Sequence, residues 1–82
     1  GPDIASQTRR LFENAACVLR SAGSGLDRVV RVSVFMVDLT EWAAMNEVYQ
    51  EAFAGHAPAK TTVEVSGLAL GARVEIEFTA ET

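Results

Sequence analysis

Cysteine is almost absent. Cys17 stands alone in 82 residues, so no internal disulfide can form, and no cysteine–histidine spacing suits zinc. Such cysteine usage fits a reducing compartment, and the sequence reads as cytoplasmic. Long apolar runs are missing as well. No stretch approaches the roughly 18–20 residues needed to span a bilayer, and the first residues carry no basic-then-apolar pattern, which reads as a soluble chain without a membrane partner. Positive charge is scarce: seven basic residues against eleven acidic ones leave a net charge of −4. No basic run or stripe could neutralise a phosphate backbone, which argues against nucleic acid as a partner. Internal repeats and low-complexity segments are also absent, and Gly1 and Pro2 contribute nothing to the fold reading.

What is present is the composition of a packed core. Hydrophobic residues make up 49% of the chain and charged residues 22%, which places it among globular proteins and predicts a single domain over 1–82. A monomer of this size buries only about 60% of the surface that its unfolded chain exposes. Another chain is therefore expected to complete the burial.

From Ala5 to Ala22 the residues Leu11, Ala15, Val18, Leu19 and Ala22 recur at three- and four-residue steps, which predicts an amphipathic helix with Cys17 at the edge of its packed face and in a structural role. Gly23-Ser24-Gly25 stops it. A β-branched run from Val29 to Val37 follows, with Val30, Val32, Val34 and Met36 on one face and Val29, Arg31, Ser33, Phe35 and Val37 on the other. Both faces are substantially apolar, so this strand belongs in the middle of a sheet. The helices of so short a chain cover one side, and the other calls for a partner.

Asp38-Leu39-Thr40 supplies helix-start chemistry, with Thr40 as N-cap, for a second helix over Glu41 to Ala54. Trp42, Met45, Tyr49, Ala52 and Phe53 form its apolar stripe, and Tyr49 and Phe53 read as core. Trp42 and Asn46, at i and i+4, meet on one edge and could line a shared pocket. His56, beside the helix end, reads as a solvated cap. Pro58 prevents the helix continuing and pushes Ala57 towards extended geometry.

Two strands close the chain, over Lys60 to Ser66 and Ala72 to Ala80. In the second, Val74, Ile76, Phe78 and Ala80 point inward and Arg73, Glu75, Glu77 and Thr79 outward. Pairing them as an antiparallel hairpin around Gly67–Leu70 sets Lys60 against Glu77, Thr62 against Glu75 and Glu64 against Arg73, with every charge opposite its complement. A two-residue shift would instead face Glu64 with Glu75, a like-charge contact that costs stability unless a site uses it. One polar face then carries Lys60, Thr62, Glu64, Glu75 and Glu77. Left solvated, its ion pairs contribute only ~0–1 kcal/mol each. Covered by a neighbouring subunit, a cation beside a carboxylate can bind a small carboxylate and position a water.

Pro58-Ala59-Lys60-Thr61-Thr62-Val63-Glu64-Val65, followed by Gly71-Ala72-Arg73-Val74-Glu75-Ile76-Glu77, closely resembles the C-terminal signature of the RidA/YjgF family of enamine/imine deaminases, long known as L-PSP endoribonucleases. Asp38-Leu39, the run Trp42 to Tyr49, and Gln7-Thr8 with Asn14 extend the resemblance over nearly the whole chain. It implies an α+β, chorismate-mutase-like fold in the order α-β-α-β-β, two helices packed on one face of a mixed sheet, and a homotrimer with active sites in clefts between subunits. It also implies hydrolysis of 2-imino and enamino acids to 2-keto acids and ammonia, with no metal or cofactor. By resemblance Glu75 is the catalytic residue that orients the attacking water. Lys60, Thr62, Asn46 and Trp42 border the substrate, and a small carboxylate-bearing ligand is the expected partner.

Two departures qualify the transfer. Where the family carries an arginine clamp this chain has Lys60, a point charge that cannot grip a carboxylate in two-pronged fashion. The family also begins with further strands that complete the pocket, whereas this chain begins at its first helix. The alternative reading is a non-catalytic ligand-binding or structural oligomer of the same fold. Chorismate-mutase-like isomerisation has little support, and ribonuclease activity fits poorly with an acidic chain.

Overall fold

The computed structural model describes residues 3–56 and 58–81. Along these the chain runs α1 (Ile4–Ser21), β1 (Val29–Met36), α2 (Trp42–Phe53), β2 (Ala59–Glu64) and β3 (Val74–Ala80), the order expected. The expectation for Ala57 lies outside the described residues.

Helix α1 starts because the Asp3 carboxylate accepts the Ser6 N–H at 2.8 Å, and it ends in a Schellman arrangement. There Gly23 adopts φ +80° and the Ser24 N–H reaches the Leu19 carbonyl at 2.8 Å. The face it buries differs from the predicted stripe. Ile4, Thr8 and Phe12 are buried, while Val18 is 68% exposed and Cys17 lies exposed rather than at a packed edge. Thr8 tolerates burial by donating its hydroxyl to the Ile4 carbonyl at 2.7 Å, a pairing that periodicity of apolar residues cannot reveal.

Strand β1 holds the centre of a three-stranded sheet in the order β2-β1-β3, parallel to β2 and antiparallel to β3. The expected β2–β3 hairpin does not form. Pairing those two strands would leave β1, the most apolar strand, at an edge; inserting it between them satisfies its backbone on both sides. Surface ion pairs are too weak to override that gain. Beyond the strand ends the ladder continues, with Val65 N–H on the Met36 carbonyl at 2.8 Å and Val37 N–H on the Arg73 carbonyl at 3.2 Å.

A bulge at the start of β1 reassigns its faces. Val29 pairs with Ala80 and Arg31 with Thr79, so Val30 is an extra residue. Val29 thereby joins Val32, Val34 and Met36 in the core, all at 0% exposure, and Val30 is 44% exposed, the reverse of simple alternation. Both helices pack on this buried face. Phe12 of α1 meets Tyr49, Phe53 and Phe78 edge-on at centroid distances of 5.9, 5.5 and 5.7 Å, and Met45 and Val48 fill the remaining space beneath α2.

The turn into α2 is capped by Asp38, not Thr40. The Asp38 carboxylate accepts the Thr40 N–H at 2.9 Å and its hydroxyl at 2.7 Å, opening a turn of 3₁₀ helix over Leu39–Glu41 before α2 begins. At the far end of α2, His56 is not a free cap. Its Nε2 lies 2.6 Å from the Val29 carbonyl, tying the helix exit to the start of β1.

Candidate functional site

The register decides which side chains can meet. Lys60, Thr62 and Glu64 stand beside Val32, Val34 and Met36 across a parallel ladder, so all six point to the helix-covered face. Glu75 and Glu77 stand beside Phe35 and Ser33 and point to the opposite, open face. The single polar face expected from sequence is therefore two faces. Within one chain Lys60 and Glu75 lie on opposite sides of the sheet.

Lys60, Asn46 and Trp42 do converge. Strand β2 lifts the Lys60 ammonium towards α2, where Nζ donates to Asn46 Oδ1 at 2.6 Å. It sits 4.2 Å from the Tyr49 ring centroid and 5.2 Å from that of Trp42. Residues 42, 46 and 49 share one side of α2 because they are three or four apart, and Trp42, 41% exposed, keeps the mouth of this niche at the surface. Ring faces attract a cation through their quadrupoles, which anchors the ammonium. Desolvation acts the other way and lowers the Lys60 pKa below its ordinary value; the same burial raises that of Tyr49.

Two hydroxyls in this region carry no hydrogen-bond partner although their oxygens are buried: Tyr49 Oη and Thr62 Oγ1. Tyr49 is the residue that the sequence reading assigned wholly to the core. It is buried, yet its ring also forms a wall of the lysine niche, and its place one turn beyond Asn46 was the available signal. Glu64 takes a structural role instead of facing Arg73, accepting the Leu39 N–H at 3.0 Å. Arg73 pairs with Glu41, its Nε donating to Oε1 at 3.1 Å, and its backbone N–H bonds Gln7 Oε1 at 3.0 Å. These contacts fasten the start of β3 to α1 and to the turn that opens α2.

On the open face, the rows Val63–Phe35–Glu75, Thr61–Ser33–Glu77 and Ala59–Arg31–Thr79 run across the sheet. Val63 is 41% exposed and Phe35 only partly covered, so an apolar patch lies directly beside Glu75. Among the described residues no three histidine, cysteine or carboxylate side chains converge where a metal ion could be held, and no helix is long and apolar enough to cross a membrane.

Comparison with known proteins places this geometry. The sequence profile described as endoribonuclease L-PSP matches residues 1–82. A RutC family protein from Pyrococcus abyssi is 45% identical over 78 residues, covering 95% of this chain and 61% of that protein. A rat protein named 2-iminobutanoate/2-iminopropanoate deaminase is 31% identical over 77 residues, covering 94% of this chain and 56% of its own length. The crystal structure of a Mycobacterium tuberculosis member of the YjgF/YER057c/UK114 family superposes with a TM-score of 0.95 at 37% identity, covering all of this chain and 70% of that one. The chain spans about three-fifths of the length of the curated relatives it matches. Profile, sequence and backbone agree with the motifs around Lys60 and Glu75: the chain belongs to the endoribonuclease L-PSP family, the RidA/YjgF group.

Proposed function

We propose that this protein acts on small 2-imino or enamino acids, hydrolysing the C=N bond to a 2-keto acid and ammonia in a cleft between two copies of the chain. One observation carries the reading: Lys60 is a desolvated cation in an aromatic and amide niche, and Glu75 projects beside an uncovered apolar patch on the other face of the sheet. Two groups so placed can share a substrate only if one chain's Lys60 faces another chain's Glu75. The patch of Phe35 and Val63 favours such an assembly, and a closed homotrimer would repeat the cleft around a symmetry axis.

Each residue then has a role. The Lys60 ammonium attracts the substrate carboxylate, and Trp42 and Asn46 confine it. Glu75 accepts a proton from a water as that water adds to the C=N carbon and passes it to the nitrogen. Loss of the remaining hydroxyl proton to that nitrogen then expels ammonia as the C=O bond forms. Thr62 offers its unpartnered hydroxyl to the substrate. No resident metal or cofactor has a role in this scheme, and the acidic chain with its free exposed thiol fits a cytoplasmic setting.

Release of ammonia and keto acid from 2-iminopropanoate and 2-iminobutanoate, generated in situ by a dehydratase, tests the proposal. A rate above background that Glu75→Ala reduces by about 10²-fold or more supports it. No rate from folded, oligomeric protein would instead favour a non-catalytic ligand-binding oligomer of the same fold.

A further inference from the structure

Six of the seven basic residues are arginines, at 9, 10, 20, 28, 31 and 73; Lys60 is the only lysine in the chain. Among the described residues it is also the one basic side chain whose charged group lies over aromatic rings. A guanidinium there could only bind, because it stays protonated under all ordinary conditions. An amine can shed a proton and become a nucleophile.

We infer that Lys60 is an imine-forming lysine, whose uncharged amine adds to the carbonyl carbon of small 2-oxo acids and holds them covalently in the niche beside Asn46, Trp42 and Tyr49. The geometry supports this in three ways. Among the described residues Nζ has one acceptor, Asn46 Oδ1 at 2.6 Å, leaving directions open for an incoming carbon. No carboxylate holds it in the charged state: the ion pair found among the described residues is Arg73–Glu41, and Glu64, on the same face of β2, is engaged with the Leu39 N–H. Tyr49 is the titratable group that faces it from α2, and its hydroxyl is neutral at physiological pH, more firmly so for being buried. Burial shifts the ammonium towards the free amine, the environment that activates imine-forming lysines generally.

The step balances without an oxidant or reductant. The Nζ lone pair forms the N–C2 bond, and the carbonyl oxygen takes both protons that the amine nitrogen gives up, one on addition and one on dehydration, and leaves as water as the C=N bond closes. With a 2-imino acid the group expelled is ammonia, and water then returns the free amine and the 2-oxo acid. The inference rests on Lys60 facing the substrate cleft, as in the proposed function: the ammonium that attracts the carboxylate there sheds a proton before its amine adds, and neither Glu75 nor net hydrolysis is needed.

The test is reductive trapping. The full chain is incubated with pyruvate and sodium cyanoborohydride at neutral pH, and intact mass and peptide mapping locate the product. The expected result is one reduced pyruvyl group on Lys60, formed at least about tenfold faster than on the same chain unfolded in guanidinium chloride, and absent at position 60 in Lys60→Arg. Equal rates in folded and unfolded chain, or addition confined to the N-terminal amine, would overturn it. The imine-hydrolysis assay runs alongside. Hydrolysis without trapping sinks this inference and leaves the proposed function standing; trapping without hydrolysis does the converse.

Discussion

Unpartnered hydroxyls are the clearest mark of function at the scale of single residues. A buried hydroxyl without a hydrogen bond costs on the order of 1–3 kcal/mol, so Tyr49 and Thr62 each oppose folding in the absence of a ligand. Tyr49→Phe keeps the ring that flanks Lys60, and Thr62→Val keeps the shape of a β-branched residue. Each variant is expected to unfold at higher urea concentration than the parent, with a gain of about 1 kcal/mol, while imine hydrolysis slows in Thr62→Val. A loss of stability in both would mean that these hydroxyls have partners and are structural. Helical spacing made the Trp42 and Asn46 edge legible and the strand pattern marked Lys60, while only the family resemblance joined the three in one pocket. The part of Tyr49 was not legible, since an aromatic on an apolar stripe looks the same whether its ring packs only on the core or also on a cation. His56 is exposed as read, but nothing near it in sequence foretells its bond to Val29, which is brought to it only by the packing of α2 on β1.

Turns in this fold use left-handed residues, and among the described residues two of them are not glycine. Ala54, which closes α2, has φ 46°, and Leu70, in the connection between β2 and β3, has φ 58° and is fully exposed. A side chain in that region costs roughly 1 kcal/mol per residue, and neither one packs against the core. Ala54→Gly and Leu70→Gly should therefore each stabilise the fold by about 0.5 kcal/mol, the strain relieved less the added entropy of the unfolded chain. Urea unfolding of the two single variants and the double variant checks both the sign and the expected additivity, since the sites share no partner. At the acid end, Asp3 and Asp38 hold helix starts, and hydrogen bonds from Ser6 and Thr40 lower their pKa values below 3.8. Their contribution is complete above pH 3.8 and fades as pH falls through the lowered values. The double variant Asp3→Asn/Asp38→Asn should accordingly lose less stability on acidification than the parent. Element order and type were legible because both helices and all three strands carry strong periodicity. The bulge at Val30 and the strand order were not. Alternation assumes an unbroken pleat, and the charge-matched hairpin rested on pairs far weaker than the backbone and apolar gains of a central β1.

For the whole molecule, the opposed placement of Lys60 and Glu75 makes a prediction that no single-chain site shares. If, as proposed, the chain forms a homotrimer in which each cleft joins Lys60 of one copy to Glu75 of the next, then Lys60→Ala and Glu75→Ala are lesions on opposite sides of an interface. Homotrimers of either variant contain three defective clefts. A trimer mixing the two contains at least one junction where an intact Lys60 meets an intact Glu75, because the sheet of each copy presents both faces. Unfolding an equal mixture and refolding it together should thus recover activity to about a quarter of the parent's specific rate, the share of junctions that random assembly leaves whole. Mixing the two folded proteins without exchange should recover none. Phe35→Glu places a charge in the apolar patch beside Glu75 and is expected to leave a monomer in sedimentation and to abolish the recovery. Recovery absent from demonstrably mixed assemblies would show that Lys60 and Glu75 do not share a cleft. The division of labour would then have to be sought within one chain, around the lysine niche alone.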